Sequence, residues 1–512
     1  MTHLAVTPAR VALLLAGLVT LLVILWPLGL GRDYMNHLAR THIEGHLGGD
    51  PALQQYYALS FDFIPDLTMD LIVPWLSQLI GTYTAGAVTI WMAFLLPPVA
   101  GLVLAKTLHG KVTWLSLLGF LTLFNANMDW GFVNYSIASG LALLTLALWI
   151  RTSAGWKRTL LFAPISLFLV INHALAFLMF GFLAFSWEVI SYFKHQRGSL
   201  TAFVRQCVFV DLPAMALGLA YLLMSVQGAS DLQQGVDPLY NLGQKARTLS
   251  AATEFGSLPV AFLAAFALVG FSWLAIRSQW VSFAEKSGWL CTAFLALVIL
   301  IPTAVFGIWG LQLRYAAPLV ILFGAAIVPS TAFTTRLQQR TLVVFACIGA
   351  VVFTNGALQM AKIDSDWRNL QAMLQNVPEG PKIFSAYSRE DIETAFTMHA
   401  VSMAVIERSA FVPNLFTNTS PVDVVLGMVD LHMPQAYPLL PEALSARAAA
   451  PPQPSTNGYW STAYANGWPE TWDYLLYFKS SDDPGLSGFP ICEVDASETV
   501  ILYKTGPCAT TG

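Results

Sequence analysis

The chain has 512 residues, of which 56% are hydrophobic and only 11% charged, with a mean hydropathy of +0.59. Soluble globular chains carry about 25% charged residues, so the composition excludes water as the solvent for most of this chain. A net charge of −4, with no basic tail, gives no electrostatic footprint for a nucleic-acid partner.

Apolar runs of roughly 20 residues, long enough to cross a bilayer, recur through the first 360 or so residues. The first, LLLAGLVTLLVILWPLGLG, follows Arg10. It is too long for a signal-peptide core and lacks a small-x-small cleavage site before Arg32, so it reads as a retained helix. The loop 32–84 follows and opens with GRDYMNHLARTHIEGHLGGDP. Read as a helix, this stretch puts Asp33, His37, Arg40 and Glu44 on one face. The face is either an interfacial one whose charges pair with each other, or an acid, an imidazole and a guanidinium turned toward a ligand. Farther along, FDFIPDLTMDLIVPWL supplies Asp62, Asp66 and Asp70. These carboxylates suit a cation or ordinary helix caps, and their spacing fits no specific loop motif.

Lys and Arg favour short cytoplasmic loops, and here they cluster at Arg10, at Lys106 and Lys111, at Arg151, Lys157 and Arg158, at Lys194, Arg197 and Arg205, at Arg277 and Lys286, and at Arg336 and Arg340. If every cluster is cytoplasmic, the segment from Lys111 to Arg151 crosses twice, turning at NANMDWGFVNYS. The segment from Arg158 to Lys194 also crosses twice, turning near INHA, unless it is one long tilted helix. Further crossings fall near 206–226, 257–276, 288–310, 316–335 and 341–361. The expected layout has about eleven transmembrane helices, a cytoplasmic N-terminus and an external C-terminus. The cytoplasmic clusters then hold 13 basic residues and the opposite loops five: Arg32, Arg40, Lys245, Arg247 and Arg314.

Polar groups gather on the external side of this layout. Asn125, Asn127, Asp129, Asn134 and Tyr135 mark the first turn, and Asn172 with His173 the second. Ionisable groups at membrane depth usually face a cavity, although a single His is as well explained by packing. Asp211 lies nearer the cytoplasmic end. In WGLQLRYAAP, Arg314 and Tyr315 stand at the external end of a helix. That Arg either snorkels to lipid phosphates or grips the phosphate of a bound lipid with its planar fork.

After Lys362 the charges, Pro, Asn and Ser return. The stretch DWRNLQAMLQNVPEGPKIFSAY predicts an amphipathic helix, a turn and a strand. WDYLLYF and ETVILYK predict strands, and PEALSARAAAPPQPSTNG a loop. The expected organisation is a transmembrane domain over 1–361 and a small extracytoplasmic α/β domain over 362–512. Cys207, Cys291 and Cys347 lie in apolar runs, whereas Cys492 and Cys508 fall where an oxidising compartment permits a disulfide. No zinc-type CxxC or HExxH spacing and no internal repeat occurs.

RDYMNHLAR after an uncleaved first helix, LRYAAP entering a late helix, and DWRNLQAMLQNVPEGPKI, ERSAFVPNLF and WDYLLYF in the C-terminal part together resemble the GT-C superfamily of membrane glycosyltransferases. The resemblance covers most of the chain. It implies an inverting transfer of sugar from a polyprenyl-phosphate carrier to an envelope glycan, lipid or protein acceptor, at the bacterial inner membrane, with the C-terminal domain periplasmic. The bilayer, the lipid-linked sugar and the acceptor are then the partners. Asp33 matches the family's catalytic base, and His37, Arg40, His173, Arg314 and Tyr315 are the candidate substrate-binding residues. Many of these enzymes carry two adjacent acids here, whereas Asp33 stands between Arg32 and Tyr34. Asp231, Asp237 and Glu254 do not clearly match a later metal ligand, so the metal is unknown and a divalent cation stays open as cofactor. Two other readings remain, a transporter or flippase of a lipid-linked glycan and a non-catalytic assembly factor. The former commonly shows repeated halves.

Overall fold

The computed structural model describes residues 7–60, 64–195, 199–228, 242–305, 308–388, 399–416, 421–425, 428, 439–451, 462–480, 483, 485–506 and 508. Arg197, Asp62, Asp231 and Asp237 lie outside the described residues. The longer helices are α1 (Pro8–Leu25), α2 (Asp33–His46), α3 (Thr68–Ile80), α4 (Thr82–His109), α5 (Val133–Arg151) and α6 (Trp156–Asn172). They continue with α7 (Ala174–His195), α8 (Leu200–Ser225), α9 (Leu258–Arg277), α10 (Ser287–Leu300), α11 (Leu311–Ala326) and α12 (Thr335–Leu374). Among the described residues, seven of these are long and apolar enough to cross a membrane: α1, α4, α5, α7, α8, α9 and α12. The chain is an integral membrane protein, and it divides into two compact units. One takes in residues 1–25, 63–68 and 89–359, the other 26–62, 69–88 and 360–512.

The first unit is a helical assembly. Its core joins Leu104, Leu143, Phe162, Phe180, Phe294 and Leu322. Trp149 stands edge-on to Phe162 at 4.8 Å and Phe180 at 5.9 Å. Small residues let backbones approach. A Cβ on Gly218 of α8 would sit 2.7 Å from the Ser166 carbonyl oxygen of α6 and 2.8 Å from the Phe177 ring. Asp211 is held by Arg158, whose Nη1 lies 3.2 Å from it and 2.9 Å from Glu188, with the guanidinium 4.4 Å over the Trp149 ring. The expected turn at INHA is a break between two helices, since His173 is extended between α6 and α7. By contrast, the first crossing expected after Lys111 is a 3₁₀ helix, Trp114–Thr122, followed by one helical turn, Ala126–Asp129. Too few residues lie between Lys111 and the Asn turn for an α-helical span, and a 3₁₀ helix rises about 2.0 Å per residue against 1.5 Å.

In the second unit, strands β1 (Tyr57–Leu59), β2 (Ile383–Tyr387), β3 (Val422–Val424), β4 (Tyr474–Phe478), β5 (Ile491–Ala496) and β6 (Val500–Thr505) form two sheets. The four-stranded sheet runs β2-β4-β6-β5. Its β2 and β4 are parallel, with Ile383 opposite Tyr474, and its other pairs antiparallel. β1 and β3 pair separately, Tyr57 opposite Val424. Every residue of β2 and β4 is buried, as their unbroken apolar runs require. Cys492 of β5 and Cys508 form a disulfide with Cα atoms 5.1 Å apart. Two expectations change here. The amphipathic helix after Lys362 is the end of α12, since no Gly or Pro separates it from the apolar run before it. The predicted loop around PEALSARA contains a helix, Pro441–Ala448, started by Pro at its first position and filled with good helix formers.

Overpacking at the α6–α8 crossing should be costly, because both contacts of the added atoms are backbone or aromatic. Gly218→Val is expected to destabilise the protein by about 1–3 kcal/mol, read as a lowered Tm in detergent. An unchanged Tm would show that the two helices do not meet there.

Candidate active site

Asp33 is the first residue of α2 and sits in the second unit. The chain enters it through Arg32, whose φ of +50° is a left-handed value that costs a non-glycine residue about 1–3 kcal/mol. A carboxylate in a first helical turn also meets the positive end of the helix dipole. The segment before it is anchored by Asp364, which accepts from Leu28 N–H at 2.8 Å, and by Trp367, whose indole N–H donates to the Leu30 carbonyl at 2.8 Å.

The half-buried Asp33 carboxylate faces His399, with Oδ1 3.3 Å from Nε2. On the other side of that ring, Asn36 Nδ2 lies 3.2 Å from Nδ1. Asn36 also donates to the Asn414 carbonyl at 2.7 Å and accepts from Phe416 N–H at 2.8 Å. The Phe416 ring meets His399 edge-on at 4.7 Å and His37 at 5.6 Å. His399 precedes a short 3₁₀ turn, Ala400–Ser402, and a helix, Met403–Arg408, that packs on α2 and buries Met403, Ala404 and Val405. Neither His399 nor Asn36 emerges as a candidate from spacing, because they meet 363 residues apart in the chain. The His just before a short apolar run, MHAVSMAVIERSAF, is the one trace of it in the sequence.

The stripe expected along α2 divides. His37 stays beside the Asp33 cluster, while Arg40 is fully buried and forms a two-point pair with Asp70 of α3, Nε to Oδ1 at 2.9 Å and Nη2 to Oδ2 at 2.7 Å. Glu44 adds a second carboxyl to that pair. Burial, then the charge and hydrogen bond of Asp70, push Glu44 up to about 10 against the pull of Arg40.

The other candidates lie in the first unit. Gly310, at φ +71°, adopts the left-handed turn that starts α11, and Arg314 follows in the first turn. The Arg314 guanidinium lies 4.0 Å over the Phe132 ring, and its carbonyl accepts from Asn127 Nδ2 at 3.3 Å. Tyr135 stands between His173 at 5.1 Å and Tyr315 at 6.3 Å, so the structure brings Tyr315 and His173 to one aromatic cluster. The Tyr315 hydroxyl donates to the Leu175 carbonyl at 3.2 Å. His173 accepts from Leu175 N–H on Nδ1 at 3.1 Å and turns Nε2 toward Asp66 Oδ1 at 3.8 Å. Both ends of the buried Gln312 amide, about one turn before Tyr315 in α11, and the Tyr135 hydroxyl have no hydrogen-bond partner among the described residues, the usual mark of a site that takes water or ligand. A cavity lined by Thr122, Asn125, Asn127 and Ser136 admits about one water molecule, too little for a sugar.

Among the described residues, no three His, Cys, Asp or Glu side chains converge as a bound cation would need. Glu254 is paired with Arg247 and accepts from Ser250 Oγ at 3.1 Å.

The raised Glu44 carboxyl makes stability depend on pH. The folded chain holds a proton that the unfolded chain releases above its ordinary glutamate range, so this contribution is complete below that range and is lost as pH rises toward about 10. Glu44→Gln is expected to flatten the fall of Tm between about pH 5 and 9 in detergent. Equal slopes for the two proteins would show that Glu44 is ionised in the folded state.

No protein-family model matches the sequence, and a search of curated proteins finds no match. The structure is similar to the crystal structure of ArnT from Cupriavidus metallidurans bound to undecaprenyl phosphate, with a TM-score of 0.54 and 11% identity over 98% of this chain and 99% of that one. The apo structure of the same protein gives a TM-score of 0.52 and 12% identity over 96% and 98%. Identity this low speaks to fold alone, and the fold of this chain is that of ArnT.

Proposed function

We propose that the chain is an integral-membrane glycosyltransferase of the bacterial inner membrane. It moves a sugar from a polyprenyl-phosphate carrier to an envelope glycan, lipid or protein acceptor on the outer side. In this reading the N-terminus is cytoplasmic and residues 362–512 are periplasmic. The excess of basic residues in the loops assigned to the cytoplasm supports that orientation. The 3₁₀ helix Trp114–Thr122, with α6, α10 and α11, brings the seven long helices to eleven crossings.

The observation that carries the reading is the placement of Asp33. It is a half-buried carboxylate at the head of a helix, directly after the first crossing and fixed by a histidine. An acceptor hydroxyl is a poor nucleophile until a base takes its proton, a contribution of about 10²–10⁴-fold. Asp33 accepts that proton as the acceptor oxygen bonds to the anomeric carbon and the bond from that carbon to the phosphate oxygen breaks. Displacement from the opposite face inverts the anomeric centre, through an oxocarbenium-like transition state of the kind met in glycoside hydrolysis. The departing lipid phosphate carries negative charge, which a guanidinium fork matches. ArnT bound to undecaprenyl phosphate is a structural neighbour holding a carrier of this class.

The test compares envelope glycolipids and glycans by mass spectrometry in cells with the wild-type protein, no protein, or Asp33→Asn at equal expression. The expected result is loss of one sugar-sized mass in the null and in Asp33→Asn alike. Restoration of the glycan to wild-type level by Asp33→Asn would sink the base assignment and favour transport.

A further inference from the structure

The contacts of Asn36 settle how His399 carries its hydrogen. Asn36 has one amide oxygen, and Phe416 N–H already donates to it at 2.8 Å. One of its two amide hydrogens goes to the Asn414 carbonyl at 2.7 Å. Both backbone contacts fix the amide in the same orientation, because exchanging its ends would set an N–H against an N–H and an oxygen against an oxygen. The second amide hydrogen therefore points at His399 Nδ1, 3.2 Å away. A nitrogen that accepts this hydrogen bears its lone pair, so a neutral His399 must carry its own hydrogen on Nε2. That nitrogen faces Asp33 Oδ1 at 3.3 Å.

From this geometry we infer that Asn36 and His399 form a positioning relay for Asp33, in which Asn36 selects the Nε2–H tautomer and His399 donates that hydrogen to Oδ1. One carboxylate oxygen is then held, and the other is turned to accept a substrate proton. Phe416 fixes the plane of the imidazole from its edge. All of these groups belong to the same compact unit. The consequence for rate rests on Asp33 being the base, whereas the tautomer and the contact do not.

The experiment therefore has two arms. In the first, the full-length protein in nanodiscs is labelled with ¹⁵N-histidine, and His399 is assigned among the nine histidines by its absence in His399→Gln. At a pH where the ring is neutral, the wild-type resonances should report hydrogen on Nε2, and Asn36→Ala should lose that preference. Hydrogen on Nδ1 in the wild type, or an unchanged tautomer in Asn36→Ala, overturns the relay. In the second arm, His399→Gln places an amide N–H near the position of Nε2, and His399→Asn near that of Nδ1. Glycan formation should stay within about 10-fold of wild type for the former and fall on the order of 100-fold for the latter, at equal folded amount. Equal activities for the two variants overturn the positioning role. If Asp33→Asn itself stays active, the function proposed above fails, and the first arm still decides the relay.

Discussion

Hydrocarbon offers no partner to a backbone N–H or C=O, and each group left unpaired there costs several kcal/mol. In the first unit this constraint decides where polar side chains can sit. An uninterrupted helix closes its own backbone account and leaves nothing for side chains to do, so polar residues collect at the breaks. At the gap between α6 and α7, Thr68 Oγ1 donates to the Asn172 carbonyl at 3.1 Å, and Asn134 Nδ2 donates to the Asp66 carbonyl at 2.9 Å. At the turn after the 3₁₀ helix, Asn125 accepts from Asn127 N–H at 2.9 Å. Groups that look like ligand-binding residues in the sequence are thus partly the means by which the chain changes direction inside an apolar solvent.

The second sorting principle is charge. An ion removed from water is expensive unless it is paired, and a broken buried pair costs far more than the intact pair contributes. Arg40 with Asp70, Arg158 with Glu188 and Asp211, and Arg247 with Glu254 all obey this rule. The first two fix helices to each other, the third ties a helix to the loop that follows it, and each leaves its guanidinium committed. Arg314 is half-buried, and its guanidinium also lies over a phenylalanine face, a contact that orients a cation through the ring's quadrupole.

Much of the fold was legible because period and length are local properties. The first helix, the break at INHA and the strands in PKIFSAY, WDYLLYF and ETVILYK all follow from apolar patterning over fewer than 25 residues. The misread elements are those where neighbouring signals compete. Trp114–Thr122 is apolar like a span but too short for an α-helical one, and the end of α12 turns amphipathic without stopping. The site was legible only in half. Asp33 and His37 stand where helical spacing puts them, yet the same spacing grouped them with Arg40 and Glu44, whose partner Asp70 comes from another helix. His399 and Asn414 reach Asp33 and Asn36 through tertiary packing, and no periodicity encodes a contact across hundreds of residues.

What surrounds Asp33 also explains how a single acid can stand at this helix start. A second carboxylate beside the first would add negative charge that one of the pair must neutralise by holding a proton. An imidazole N–H supplies orientation instead. The remaining constraint is the backbone, since Arg32 takes a left-handed conformation that few non-glycine residues adopt. Such strain persists only where the surroundings over-determine it, and here they do. Leu28 and Leu30 are hydrogen-bonded to Asp364 and Trp367 on one side of the turn, and Asn36 to Asn414 and Phe416 on the other. The turn at Arg32 is bracketed by contacts only a few residues away in each direction, and the residue they hold in register is Asp33.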